Sequence, residues 1–209
     1  MTKIATAGPE DLQLYYVAES PFASKLLFAI KELGLTDAVS LHAVSDPPPA
    51  ELVEANSLYP LSAFVPSLVT PDGTLFDSSV ILQYLDSLSP DLDGKLFPPA
   101  DTRDRWLALT HEALSKGVMG TVMMVHQQRA RGAGDRVLAP QEERARRGLE
   151  RLAEYEVPDT GRTVLDVRGI ALGSMLDYMS KCEWSSGWRE WEGGSTLGPW
   201  FDEIKHRLP

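Results

Sequence analysis

The residues best suited to chemistry fall in three short stretches. Ser20 stands in ESPFASK, 19–25, where an extended run gives way to a helical one. A serine just before proline is a good helix N-cap, worth about 1 kcal/mol. Its hydroxyl could also donate to a bound thiolate. A free thiol has a pKa of about 8.5, and a helix N-terminus lowers it. Such a position would make a bound thiol a nucleophile near neutral pH. Val65-Pro66 lies at the start of FVPSLVT, 64–70. Proline lacks the N–H that a strand ladder needs, and X–Pro is the one common site of a cis bond. A cis bond there would turn the Val65 N–H and C=O toward an extended ligand; a trans bond would only mark a strand edge. Asp77-Ser78 sits at a strand-to-helix junction. A helix N-terminus there can hold a carboxylate, with Ser78 Oγ as an added donor. Asp77 could meet an ammonium group, or either residue could be a plain cap.

Other reactive types are more scattered. Cys182 is the single cysteine. It permits no internal disulfide, which suits a reducing compartment, and it reads as a helix-end residue rather than a nucleophile. His111 and His126 are general-base types, although a satisfied or exposed histidine is the plainer reading of each. Met119, Val122, Met123 and His126 have pocket-like spacing within VMGTVMMVHQQ, 118–128. Methionine suits irregular apolar ligands, and bundle core is the plainer reading of any one of the four. Tyr15 and Tyr16 close the first strand-like run, where alternation turns one of them inward. No metal site is expected.

These residues need elements to position them. LQLYYV, 12–17, reads as a buried strand. Phe22, Leu26, Ile30 and Leu33 then recur at helical spacing, and Gly34 is a C-terminal stop. AVSLHAV, 38–44, alternates as a second strand, DPPP breaks it, and PAELVEA, 49–55, suggests a short helix. FVPSLVT is a third strand, PDGT, 71–74, a turn, and LFD begins the partner strand. SSVILQYLDSL, 78–88, reads as a helix with Val80, Ile81, Tyr84, Leu85 and Leu88 on one face. SPDLDGKLFPPAD, 89–101, has the composition of a linker. No strand follows it. Helices are expected over 102–131, 140–156 and 197–208. Another opens at TVLD, 163–166, in the manner of a capping box. Its continuation, VRGIALGSMLDYM, is apolar on most sides, as a central bundle helix would be.

Composition narrows the class. The chain has 209 residues, 43% of them hydrophobic, enough for a sizeable core. A formal net charge of -10 argues against nucleic acid and anionic membranes, which need clustered basic residues. The longest apolar-rich run, 117–125, is far too short to span a bilayer. MTKIATAGPED lacks the apolar stretch of a signal peptide. A soluble, cytoplasmic protein is the expectation.

Taken together, YYVAESPFASKLLFAIKELGL, FVPSLV, DGTLFDSSVILQYLD and TVLDVRGIALGSMLDYM resemble the cytosolic glutathione transferase family, in its serine-type form. The resemblance runs from about Leu12 to the closing WREW and LGPWFDEIKHRL. It implies an α/β plus all-α architecture. A thioredoxin-like, glutathione-binding domain would occupy 1–88 and a linker 89–101. A helical-bundle domain over 102–209 would contribute the hydrophobic substrate site. Ser20 would be the catalytic contact to the glutathione sulfur, where thiol-exchange members have cysteine. Tyr15 and Tyr16 are the alternatives, since tyrosine-type members use a tyrosine at the end of the first strand. Val65 would pair by its backbone with the cysteinyl unit, Pro66 would be cis, and Asp77 and Ser78 would hold the γ-glutamyl end. Tyr16, Met119, Val122, Met123 and His126 would wall the second site, between the domains.

Glutathione is then co-substrate or catalytic thiol, the other partner is a small apolar electrophile, and a homodimer is expected. One departure stands out: YPLSAFVP, 59–66, has no lysine before Val65. The glycine carboxylate of glutathione would need another cation, from Lys25, His42 or an arginine. Three activities fit: conjugation, glutathione-dependent double-bond isomerisation, and a non-catalytic binding module of the same fold.

Overall fold

The computed structural model describes residues 12–45, 50, 65–89 and 95–209. The helix expected over 49–55 and the YPLSA approach to Val65 lie outside the described residues, as do the first eleven residues and the middle of the expected linker. The chain divides into two compact units, meeting at Lys95 and Leu96.

The first unit is built on a four-stranded mixed sheet. Its strands are β1 (Gln13–Tyr16), β2 (Ser40–Ala43), β3 (Ser67–Thr70) and β4 (Gly73–Leu75), in spatial order β2-β1-β3-β4. β1 runs parallel to β2 and antiparallel to β3, and β3 is antiparallel to β4. Alternation along β1 sends Leu12 and Leu14 into the core, at 1% and 0% exposure. The third strand begins at Ser67, after Pro66, which has no N–H to donate to the ladder. The β3–β4 turn is held by Thr70, whose hydroxyl donates to the Gly73 carbonyl and accepts from the Asp72 N–H.

Among the described residues, α1 (Pro21–Glu32) and α2 (Ser78–Leu88) pack in this unit. Pro21 takes the first helical position of α1, where its missing N–H costs nothing. Gly34, at φ +66°, stops the helix. The Leu35 N–H reaches the Ile30 carbonyl and the Gly34 N–H the Lys31 carbonyl, the two bonds of a Schellman end. On α2 the buried stripe is Ser78, Ile81, Leu82, Leu85 and Asp86. This face is rotated from the expected one: Val80 is 44% exposed, and Leu82 takes its place inside.

The second unit begins inside the expected linker. Leu96 and Phe97 are buried, and the Leu96 carbonyl accepts from the Val167 N–H. The unit holds α3 (Arg103–Ala130), α4 (Asp135–Ala153), α5 (Val167–Lys181) and α6 (Gly194–Ile204). α3 buries Ala108, His111, Ser115, Val118, Met119, Val122 and Val125, a stripe at three- and four-residue spacing. α4 starts five residues before the expected position, with Gly134 as N-cap. Pro140 therefore lies inside it and leaves the Arg136 carbonyl without its helical donor; Arg136 is exposed, so water can serve.

α5 buries every residue from Gly169 through Leu176, as a central helix should. Its cap is Asp166, not Thr163: Asp166 Oδ1 accepts from the Gly169 N–H at 3.0 Å. Asp166 is 3% exposed. It also accepts from Arg168 Nε at 2.8 Å, which secures the charge. α6 starts three residues before the expected position, after Gly193 at φ +86°. No helix among the described residues is long and apolar enough to cross a membrane.

Candidate functional site

Strand direction brings the three sequence-predicted stretches to one edge of the sheet. β1 runs toward Ser20. β4 is parallel to it through β3 and runs toward Asp77. β3 runs the opposite way, so its start, next to Val65-Pro66, lies at that same edge. The N-termini of α1 and α2 both open there, each with unpaired N–H groups and partial positive charge. An edge with two helix N-termini favours anionic groups.

Ser20 holds the N-cap position of α1 with extended backbone, φ -75° and ψ 122°. Its N–H donates to the Val17 carbonyl at 3.0 Å, and its carbonyl accepts from Ala23 and Ser24. Its side chain makes no cap bond. The backbone does the capping, and the half-buried hydroxyl is uncommitted among the described residues. Asp77 differs. Its Oδ1 accepts from the Ser79 N–H at 3.0 Å, so the helix it opens also orients its carboxylate. Ser78 beside it is 2% exposed.

Val65-Pro66 is cis. The β1–β3 register pairs Gln13 with Val69, Leu14 with Leu68 and Tyr15 with Ser67. Continued by two residues, it sets Val65 level with Val17, the residue whose carbonyl ties down Ser20. Val65 itself lies beyond the ladder.

The two tyrosines part ways. Tyr15 stacks on His42 across the β1–β2 pair, centroids 4.8 Å apart, and its hydroxyl donates to Gln13 Oε1. Both its ring and its hydroxyl are engaged. Tyr16 is half-buried, and alternation puts it on the Leu12–Leu14 face. Of the two named cations, Lys25 is fully buried at 0% exposure and already partnered, whereas His42 is exposed.

On α3 the expected pocket residues separate. Met119 and Val122 are 0% exposed and belong to the packed stripe, while Met123 is half-buried and His126 exposed. His111 is 1% exposed and meets no hydrogen-bond partner among the described residues. Burial, helped by the nearby Arg168 charge, pulls its pKa down to about 4. Cys182 is buried, and burial pushes its thiol pKa up despite the Tyr178 hydroxyl. We expect Cys182 to react with a disulfide reagent at least roughly tenfold more slowly in the native protein than in denaturant, since both exposure and thiolate fraction are low. A native rate matching the denatured one would contradict the burial.

Residues 19–88, which hold Ser20, Pro66, Asp77 and Ser78, match the glutathione S-transferase N-terminal domain family. A solved glutathione transferase family member from Pseudomonas fluorescens, with bound S-(propanoic acid)-glutathione, is 28% identical to the chain. The match covers 94% of this chain and 95% of that one, at a TM-score of 0.77. Residues 19–88 thus match the N-terminal domain of glutathione transferases, and the whole chain is similar to a solved member of that family.

A second structure from Pseudomonas fluorescens, with bound glutathione, is 27% identical and covers 93% of this chain and 94% of its own at a TM-score of 0.74. A glutathione S-transferase from Methylobacterium radiotolerans, in complex with glutathione sulfonate, is 25% identical. It covers 95% of this chain and 94% of its own, at a TM-score of 0.70. No curated protein sequence matches. The glutathione transferase fold accounts for both units: the mixed sheet with its helices is the thioredoxin-like domain, and the helices after Leu96 are the all-α region.

Proposed function

We propose that this glutathione transferase is serine-type and activates the glutathione thiol for attack on a small apolar electrophile. The observation that carries the reading is the uncommitted Ser20 hydroxyl, at the sheet edge it shares with Asp77, Ser78 and the start of β3. In this reading Asp77 accepts from the γ-glutamyl ammonium. Ser78 and the α2 N-terminus take the carboxylate of the same unit. The Val65 N–H and C=O pair with the cysteinyl backbone as an added strand would.

The cysteinyl sulfur then meets Ser20. Its proton leaves to solvent, the hydroxyl donates to the sulfur anion, and the α1 N-terminus adds its partial positive charge. The thiolate forms a C–S bond with the electrophilic carbon. In a substitution the leaving group departs with its electron pair; in an addition the adjacent carbon takes up a proton. Of the residues expected to meet the electrophile, Tyr16 in the first unit and Met123 and His126 in the second are not buried. With Lys25 buried, His42 or an arginine answers the glycine carboxylate. The bound glutathione ligands of the Pseudomonas relatives support the co-substrate. A cytoplasmic homodimer is the form this reading expects.

Calorimetry tests it. Wild type is expected to bind glutathione, and Asp77→Asn to weaken binding about 10- to 100-fold, the value of a charge-assisted hydrogen bond. Asparagine caps as well as aspartate, so the melting temperature should hold. No heat at millimolar glutathione would sink the reading in favour of a non-catalytic module. Turnover then separates two chemistries: conjugation consumes one glutathione per product, and isomerisation consumes none.

A further inference from the structure

Glu19 stands next to Ser20 with no structural duty of its own. It and Ala18 are the two corner residues of a turn, closed by the Ser20 N–H on the Val17 carbonyl at 3.0 Å. Both corners are exposed. The Glu19 Cα is one peptide, about 3.8 Å, from that of Ser20. The turn therefore holds Glu19 at the sheet edge, where β1 gives way to α1. Its carboxylate meets no hydrogen-bond donor and no cation among the described residues. Asp77, the other carboxylate at this edge, is oriented by the Ser79 N–H.

A carboxylate beside the Ser20 hydroxyl works against thiol activation, because a like charge nearby disfavours the thiolate. The rest of the unit has the same sign. Residues 1–95 carry thirteen Asp and Glu against four Lys and no Arg, so their field repels a second anion and draws in a cation. An electrophile with a positive group reverses the penalty. Its charge pairs with Glu19, and the thiolate is left with a neutral neighbour. An electrophile with a carboxylate meets repulsion from Glu19 and from the unit as a whole. A neutral one meets neither.

We propose that Glu19 is a specificity-determining residue of the thiol site, and that it selects electrophiles joining an apolar reacting part to a cationic substituent such as an ammonium group. This rests on the glutathione reading above and sharpens its electrophile. Binding tests it without turnover, through glutathione conjugates whose sulfur substituent stands where the electrophile would. S-aminoethyl-, S-propyl- and S-carboxyethyl-glutathione have substituents of similar size that are positive, neutral and negative. Calorimetry on the full-length protein at low salt should rank them in that order of affinity. One exposed charge pair changes affinity about 1.4- to fivefold, so attraction and repulsion together should separate the first from the last by roughly 3- to 20-fold. Added salt should compress the spread. Glu19→Gln should cut it to less than half, and its melting temperature should hold because the position is exposed. A wild-type spread under about threefold would overturn the proposal. A spread that Glu19→Gln leaves above half would belong to the general field of the unit, and would overturn it too. Neither result touches glutathione binding itself. If neither glutathione nor any conjugate gives heat, the glutathione reading falls and this one falls with it.

Discussion

Ser20→Ala is expected to slow glutathione-dependent turnover about 10- to 100-fold near neutral pH, with glutathione affinity nearly unchanged. A hydrogen bond to a charged group contributes about 1.5–3 kcal/mol. The thiolate gains that bond and the neutral thiol gains little of it, so losing it raises the pKa of the bound thiol by about 1–2 units. The loss should therefore appear in the pH–rate profile. The rising limb moves to higher pH, and much of the rate returns once the thiol ionises without help. Stability offers a control. A serine N-cap usually contributes about 1 kcal/mol through its side chain, but here the side chain caps nothing. The melting temperature of Ser20→Ala should stay close to wild type. Ser20→Thr, which keeps the hydroxyl, should restore the limb. If Ser20→Ala left the profile in place and Tyr16→Phe moved it, the thiol contact would belong to Tyr16.

That control depends on something the sequence could not supply. ESPFASK specifies the helix start, because Pro21 tolerates only the first turn and Ser20 favours the cap. It does not specify where the hydroxyl points, since a χ1 rotation chooses between the helix N–H groups and the sheet edge. Asp77 has the same residue-level ambiguity and resolves the other way, into a cap at 3.0 Å. The edge itself was legible in part. Two strand-to-helix junctions and one Val-Pro at the head of an antiparallel strand can meet at one edge only when β1 and β4 run parallel. The PDGT turn sets β4 antiparallel to β3, and the long-range β1–β3 pairing, which no short stretch announces, supplies the rest.

The helical unit was less legible, for a definite reason. TVLD contains two good caps, Thr163 and Asp166, three residues apart. Tertiary pairing of Asp166 with Arg168 decides between them. Pro140 looks like a first-turn proline, yet Gly134 opens the helix before it. In GVMGTVMMV the single polar residue, Thr121, is too little to fix the phase of the stripe, so Met119 and Met123 read alike. One is sealed in the core and the other half-buried.

His111 carries the second large effect, on stability in acid. It sits on α3 with both ring nitrogens buried and without a hydrogen-bond partner among the described residues. The Tyr155 ring meets it edge to face, centroids 5.5 Å apart, and Glu112 is its buried neighbour on the same helix. From the start of α5, Arg168 disfavours the imidazolium and Asp166 partly offsets it. Burial outweighs both and lowers the folded pKa from 6.5 to about 4. The unfolded chain therefore binds more protons between those values, and stability falls as pH drops from about 6.5 toward 4. The shift corresponds to about 3 kcal/mol when fully developed, a large share of the ~5–15 kcal/mol that holds a typical domain. Urea midpoints at neutral pH and near pH ~4.5 would show the fall. His111→Leu isolates it, because leucine takes up no proton and leaves no polar atom unpaired. The variant should stay within about 1 kcal/mol of wild type at neutral pH, since an apolar group replacing an unpaired polar one is nearly neutral. It should also lose less stability in acid, by most of the predicted difference. Equal acid losses in the two proteins would place the proton uptake elsewhere and leave His111 as packing alone.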